Sequence, residues 1–290
     1  MTDMETQMLQ VFRVPTRRIP VIRILCPNPG MMTGPGTNTY LIGSTRRILL
    51  DPGPDVPAHR QRILSMLGDD VLDSVLVTHT HGDHSPGALA IRHATAASLV
   101  GLLPSPNSQH QDKTFVPDLE PQDQQVLTIA DVEIQAIHTP GHVGNHICWY
   151  LPEEGLLFTG DHILQGTTPV ILPPDGDMAA YMDSLRRIQR MRCDRLAPGH
   201  GQIIDDADGN IQGVIAHRLA REEKIFNALQ TSGEAMTVEA LVRQVYQDVS
   251  PGLWPWAAKT MLAHLIKLVA DKRIAHDEAN KEWKVIQADG

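Results

Sequence analysis

Short apolar runs, each closed by a glycine or a polar cluster, recur through the first two-thirds of the chain. Residues 11–14 and 19–25 open the series as sheet strands, and residues 38–43 and 46–51 form a strand pair turning at Gly43-Ser44. Later runs of the same kind occupy residues 74–77, 132–137, 155–160 and 195–198. Between them lie stretches with helical spacing. Residues 57–67 put Ile63, Leu64 and Leu67 on one face, and residues 87–93 read as a second helix behind Pro86, a residue tolerated at a helix start. In residues 178–191, Tyr181, Leu185 and Ile188 recur at i, i+4 and i+7.

Beyond residue 200 the rhythm changes. Residues 214–230 predict a long charged helix, and residues 237–247 a shorter one that Thr237 can cap. Residues 256–271 carry an apolar stripe of Met261, Leu262, Leu265, Leu268 and Val269. Two short strands at 273–276 and 281–285 then flank a polar turn. Helices followed by a hairpin suggest a winged-helix-like module. The predicted organisation is an α/β domain over residues 1–213, then a bridging helix and winged-helix-like domain over 214–290. Three stretches predict loops. Residues 27–36 are dense in turn formers, and no Gly-Lys-Ser/Thr follows, so they read as a connection at the mouth of a site and not as a phosphate cradle. Residues 104–125 read as a surface excursion, and residues 166–176 as a loop placed to line a pocket.

The chemistry concentrates at the end of residues 74–77. Thr78-His79-Thr80-His81-Gly82-Asp83-His84 packs three imidazoles and a carboxylate into six consecutive positions. Such donors suit zinc or iron, whereas calcium prefers all-oxygen shells. On an extended tip, His79 and His81 can point to the same side. Asp83 and His84 are adjacent and cannot easily join them at one small ion, which suggests two neighbouring metals. Three further candidate ligands, His142, Asp161 and His200, each follow a later strand and a glycine that lets the chain turn sharply.

With H-x-H-x-D-H and three separated downstream ligands, the chain resembles the metallo-β-lactamase superfamily from about Asn38 to His200. The resemblance implies an αββα sandwich. It places His79, His81 and His142 on one zinc, and Asp83, His84 and His200 on the other, with Asp161 bridging. Iron or manganese would also suit the donors. Asp51 in Asp51-Pro52-Gly53 is expected beneath the ligands, where it can orient an imidazole; capping a turn is the alternative. His162 could orient a ligand, carry a proton or, the favoured reading, simply occupy a turn. The tail narrows the resemblance to the β-lactamase-like protein 2 group through His217-Arg218, Arg221-Glu222, the Gly166-Thr167-Thr168 run and Tyr181-Met182-Asp183-Ser184-Leu185. Ser85-Pro86-Gly87 departs from that group's pattern, where a serine and paired glycines are commoner.

What the resemblance implies is hydrolysis by metal-bound hydroxide, with Asp83 the catalytic proton carrier. The first expectation is an ester, thioester or lactone substrate. The second is single-stranded RNA, and a diiron-type oxidoreductase is disfavoured because those relatives have glutamate where this chain has His81. Composition bears on the choice. The 290 residues, 42% hydrophobic and 20% charged, can bury a sizeable core. A formal net charge of -9, and seven basic against eight acidic residues over 232–290, argue against a nucleic-acid-reading wing. The centre itself keeps about one positive charge once two aspartates and a hydroxide offset two divalent ions, which favours a small anionic acyl substrate. The wing then reads as a pocket wall or a homodimer contact. No apolar run nears the roughly 20 residues of a membrane span, and residues 1–10 lack a secretory core. Three cysteines without C-x-x-C argue against a disulfide framework, so the expected location is cytoplasmic, with the thiols buried.

Overall fold

The computed structural model describes residues 10–286 except 107 and 109; most of the N-terminal stretch read for a secretory core lies outside them. One sheet has the order β1 (Val11–Val14), β2 (Val21–Leu25), β3 (Asn38–Gly43), β4 (Arg46–Leu50), β5 (Val71–Leu76), β6 (Ser98–Val100). Its first four strands are antiparallel, and β4, β5 and β6 run parallel. The second sheet joins β7 (Val126–Ile129), β8 (Val132–His138), β9 (Ile147–Leu151) and β10 (Leu156–Gly160) antiparallel, then adds β11 (Arg195–Pro198) parallel to β10.

Side chains alternate across each strand, so every central strand feeds two cores. Tyr40, Ile42, Ile48, Leu50 and Leu76 meet Ile134, Ala136, Trp149 and Phe158 between the sheets. The opposite face of the first sheet, with Leu41, Leu49 and Val75, packs on α1 (Pro57–Leu67) and α2 (Gly87–Thr95) through Ile63, Leu67 and Ile91. The outer face of the second sheet packs Ile137, Cys148 and Leu157 on Tyr181, Leu185 and Ile188 of α3 (Met178–Met191). These layers make the expected αββα sandwich. All three cysteines are free and buried. Burial pushes the Cys26 and Cys148 thiols up to about 12.

The bridging helix α4 (Ala207–Ser232) starts seven residues before the sequence expectation and runs unbroken across residues 213 and 214. Asp206 caps it by accepting a hydrogen bond from the Gly209 amide at 2.9 Å. Gly209, Asn210 and Gly213 lower helix propensity in that first stretch and hide it from a periodicity reading. Ile211 and Val214 belong to the second sheet's outer core. Ile225 and Leu229 belong instead to the C-terminal core, with α5 (Val238–Val245), α6 (Trp254–Ala270) and the hairpin β12 (Ile274–Asp277) and β13 (Glu282–Val285). Thr237 caps α5 as expected, accepting from the Ala240 amide at 3.3 Å. Among the described residues, no helix is long and apolar enough to cross a membrane.

Candidate metal centre

Loops at the ends of β4, β5, β8, β10 and β11 converge at one edge of the sandwich. They bring all seven expected ligands together in two groups, His79/His81/His142/Asp161 and Asp83/His84/Asp161/His200; the donor atoms of each group lie within 4.8 Å of one another. Asp161 belongs to both. In the first group, His81 Nδ1 stands 2.9 Å from His79 Nε2 and 3.1 Å from His142 Nε2. In the second, Asp161 Oδ1 stands 3.3 Å from both His84 Nε2 and His200 Nε2, and Asp83 Oδ2 is 3.2 Å from His200 Nε2.

The ring nitrogens facing away from the centre are held. Asp51 Oδ2 accepts from His84 Nδ1 at 2.9 Å, and the carbonyls of Val170 and Gly36 accept from His142 Nδ1 at 2.8 Å and His200 Nδ1 at 3.1 Å. Each bond fixes a proton on Nδ1 and aims Nε2 inward, where it can offer its lone pair to a cation that displaces any Nε2 proton. Asp51 is itself anchored, receiving the Thr78 amide and hydroxyl, both at 2.7 Å. Asp51 has φ 49°, a left-handed conformation that aspartate tolerates better than most residues.

The glycine before each ligand serves more than one purpose. Gly160 turns the chain with φ 46°. Gly199 is a matter of space: a β-carbon there would lie 2.7 Å from His84 Cε1 and 2.8 Å from Asp161 Oδ1.

Electrostatics divide the centre. Burial, reinforced by His84 and His81, holds the His79 imidazole well below its ordinary pKa, and burial with His142 brings His81 to about 3. Those rings are neutral. Burial also opposes charge on His200, but Asp161 and Asp83 overcome it and raise the ring to about 10. His84 rises well above the ordinary value in the same way, against its burial, under Asp161, Asp83 and Asp51. Burial pushes Asp83 upward, yet His84 and His200 hold its carboxyl below the usual value. In the metal-free chain, protons on His84 and His200 stand where a cation would. The Nε2 atoms of both rings and Asp161 Oδ1 are buried without a hydrogen-bond partner. Converging Nε2 atoms on rings anchored at Nδ1, beside an Asp161 oxygen with no hydrogen-bond partner among the described residues, fit a divalent metal that would take the place of the Nε2 protons.

A match to the metallo-beta-lactamase superfamily spans residues 32–200. The chain belongs to that superfamily. A second match, to the beta-lactamase associated winged helix domain, spans residues 237–283. The beta-lactamase-like protein 2 homolog of Drosophila melanogaster is 34% identical, covering 92% of this chain and 94% of that protein. An atrochrysone carboxyl ACP thioesterase of Aspergillus novofumigatus is 31% identical, covering 87% of this chain and 79% of its own. A Thermus thermophilus metallo-beta-lactamase family protein superposes with a TM-score of 0.74 at 20% identity, over 96% of this chain and 99% of that one. This metallo-beta-lactamase superfamily chain is a hydrolase, and its His/Asp cluster is a potential divalent-metal site.

His162 occupies the turn after β10, as favoured from sequence, but its ring is fully buried, with neither nitrogen hydrogen-bonded. It packs 4.7 Å from the Tyr181 ring, and burial with nearby His142 lowers it to about 3. Sequence reasoning missed Gln111, whose excursion is more than surface loop. Gln111 is buried, accepts from the Thr80 hydroxyl and donates to Asp175, and so braces the peptide between His79 and His81. It also missed His146, buried 5.1 Å from the His79 ring with its Nε2 unpartnered. Neither residue belongs to a local motif; only the tertiary fold brings them to the ligands.

Proposed function

We propose that the chain is a two-zinc hydrolase of small acyl esters, thioesters or lactones. One metal is assigned to His79, His81, His142 and Asp161, and the other to Asp83, His84, Asp161 and His200. The observation that carries the reading is a cleft of about 570 Å³ over these residues, walled by Met31, Met32, Val170, Leu172, Leu253 and Trp256. A compact, mostly apolar wall with a few polar groups suits an acyl chain, and thioesterase-named relatives agree with it. The winged-helix module supplies part of that wall.

When bound, the metals would supply Lewis-acid polarisation of the acyl oxygen and acidification of water. The remaining work falls to the chain. Asp51 and the Val170 and Gly36 carbonyls hold the outward Nδ1 protons and keep Nε2 of His84, His142 and His200 aimed inward. Asp83 keeps more side-chain exposure, 27%, than Asp161 at 12% or His84 at 0%. Its carboxylate is the group placed to accept the attacking water's proton and return it to the leaving group. The apolar wall positions the acyl portion and keeps bulk water from it.

The test is a side-by-side assay of zinc-loaded protein on ester, thioester and lactone panels and on unstructured single-stranded RNA, each with an Asp161→Ala control. Acyl turnover that disappears in the control is expected. Site-selective RNA cleavage at physiological salt with no acyl turnover would overturn the reading.

A further inference from the structure

Three cationic side chains reach the cleft from the C-terminal half: Arg218 and Arg221 on α4, and Lys259 on α6. Residues 218 and 221 stand one turn apart on the same helix face, yet their surroundings differ sharply. Arg221 is satisfied. It donates to both oxygens of Asp248, at 3.0 and 2.9 Å, and to the Val245 carbonyl at 3.0 Å. Arg218 is more deeply buried, with 3% of its surface exposed, and makes no ion pair among the described residues. Its hydrogen bond goes to the Pro169 carbonyl, and its Nε is buried without a partner. The guanidinium lies 5.3 Å from the Tyr181 ring centre, a cation–π contact that offers no anion.

A guanidinium offers five N–H donors in a planar fork that matches an oxyanion. Holding one carbonyl uses a small part of that capacity, and an unpaired buried charge is costly. The carboxylates bordering the cleft are Asp83 and Asp161, both in the metal centre. Among the described residues, no acidic side chain of the cleft wall therefore serves Arg218. Lys259 adds a second positive charge, held 4.7 Å over the Trp256 ring.

We propose that Arg218, assisted by Lys259, is an anion-recognition subsite for a carboxylate or phosphate group on the substrate, remote from the bond that is cut. This rests on the acyl-hydrolase reading and deepens it: the substrate is an acyl compound bearing a second, anionic end. The two ends lie close. The Pro169 carbonyl takes Arg218 while the neighbouring Val170 carbonyl takes His142, so two consecutive peptide groups tie the subsite to the metal centre. A short spacer between the reacting group and the anion follows.

The experiment is calorimetric titration of zinc-loaded protein with succinate, glutarate and adipate, with the monocarboxylates of equal chain length, and with the corresponding ω-phosphonocarboxylates. One member bearing a second anion should bind roughly 10- to 100-fold tighter than its monocarboxylate, the range expected for charged hydrogen bonds. Whether carboxylate or phosphonate gains more identifies the group. Arg218→Gln should erase the preference, Arg218→Lys should keep part of it, and Lys259→Ala should reduce it a few-fold. Equal affinity of mono- and dianions for the unaltered protein overturns the proposal, even where Arg218→Gln does not fold; so does a preference unchanged in Arg218→Lys and Lys259→Ala together. Because the readout is binding, absent thioester turnover would defeat the acyl-hydrolase reading without deciding this one.

Discussion

Replacing Asp51 by asparagine separates orientation of a ligand from ligation itself. The Asp51 carboxylate is buried and accepts three hydrogen bonds, from the Thr78 amide, the Thr78 hydroxyl and His84 Nδ1. Asparagine matches its size, and its carbonyl can still accept from the Thr78 amide. Its amide nitrogen would then face His84 Nδ1, donor against donor. His84 must give up that bond or move the proton to Nε2, the atom 3.3 Å from Asp161 Oδ1 that the metal needs. Losing an orienting partner of this kind costs ~10- to 100-fold in metal affinity, equivalent to about 1.4–2.8 kcal/mol. The loss should fall mainly on the equivalent that His84 holds. His79 meets Asp51 only at second hand, through the Thr78 hydroxyl 3.1 Å from its Nδ1, and the His142 orienting bond to Val170 is untouched, so the other equivalent should weaken far less. Competition against a chromogenic zinc chelator, analysed for two sites, reads this directly. Unaltered affinity at both sites, or equal weakening of both, would refute the assignment of Asp51 to His84.

Other perturbations test other parts of the account. Asp83→Ala should abolish acyl turnover while circular dichroism and thermal unfolding stay close to those of the unaltered protein; retained activity in the metal-loaded variant would remove Asp83 from the chemistry. Gly199→Ala places a methyl group 2.7 Å from His84 Cε1, and overpacking of this kind costs about 1–3 kcal/mol, so metal content and thermal stability should fall together. Metal uptake should release protons at pH 7, because Asp161 and Asp83, overcoming burial, hold His200 at about 10 and the ring is charged until a cation displaces its proton. Affinity therefore falls as pH is lowered, and calorimetry in buffers of different ionisation enthalpy would show no proton release if this were wrong.

The clustering of the seven candidate side chains was legible because strand, glycine and donor recur together: β5 before His79, Gly141 before His142, Gly160 before Asp161 and Gly199 before His200. Local chemistry carried each of those signals. The sandwich followed from the resemblance those motifs carry, and the structure adds how two-residue alternation in β3 and β4 sends Tyr40 and Ile48 to one core and Leu41 and Leu49 to another. What escaped was built across long sequence separations. Gln111 braces Thr80 from 31 residues away, and its polar, proline-punctuated segment has no periodicity to announce a buried role. The start of α4 escaped because its glycines disguise a helix that a capping aspartate and tertiary packing sustain. His217-Arg218 and Arg221-Glu222 stood out as a motif, but only the fold shows Arg221 paired with Asp248 and Arg218 without an anion.

The central claim is that seven side chains build one two-metal centre with Asp161 shared. Elemental analysis of protein purified without added metal, beside the Asp161→Ala variant, tests it most directly. The account predicts about two metal ions per chain, chiefly zinc, one for each group able to hold a metal, with the variant losing metal from both positions. Consistently less than one equivalent in the unaltered protein, or full retention of both ions by the variant, would contradict it.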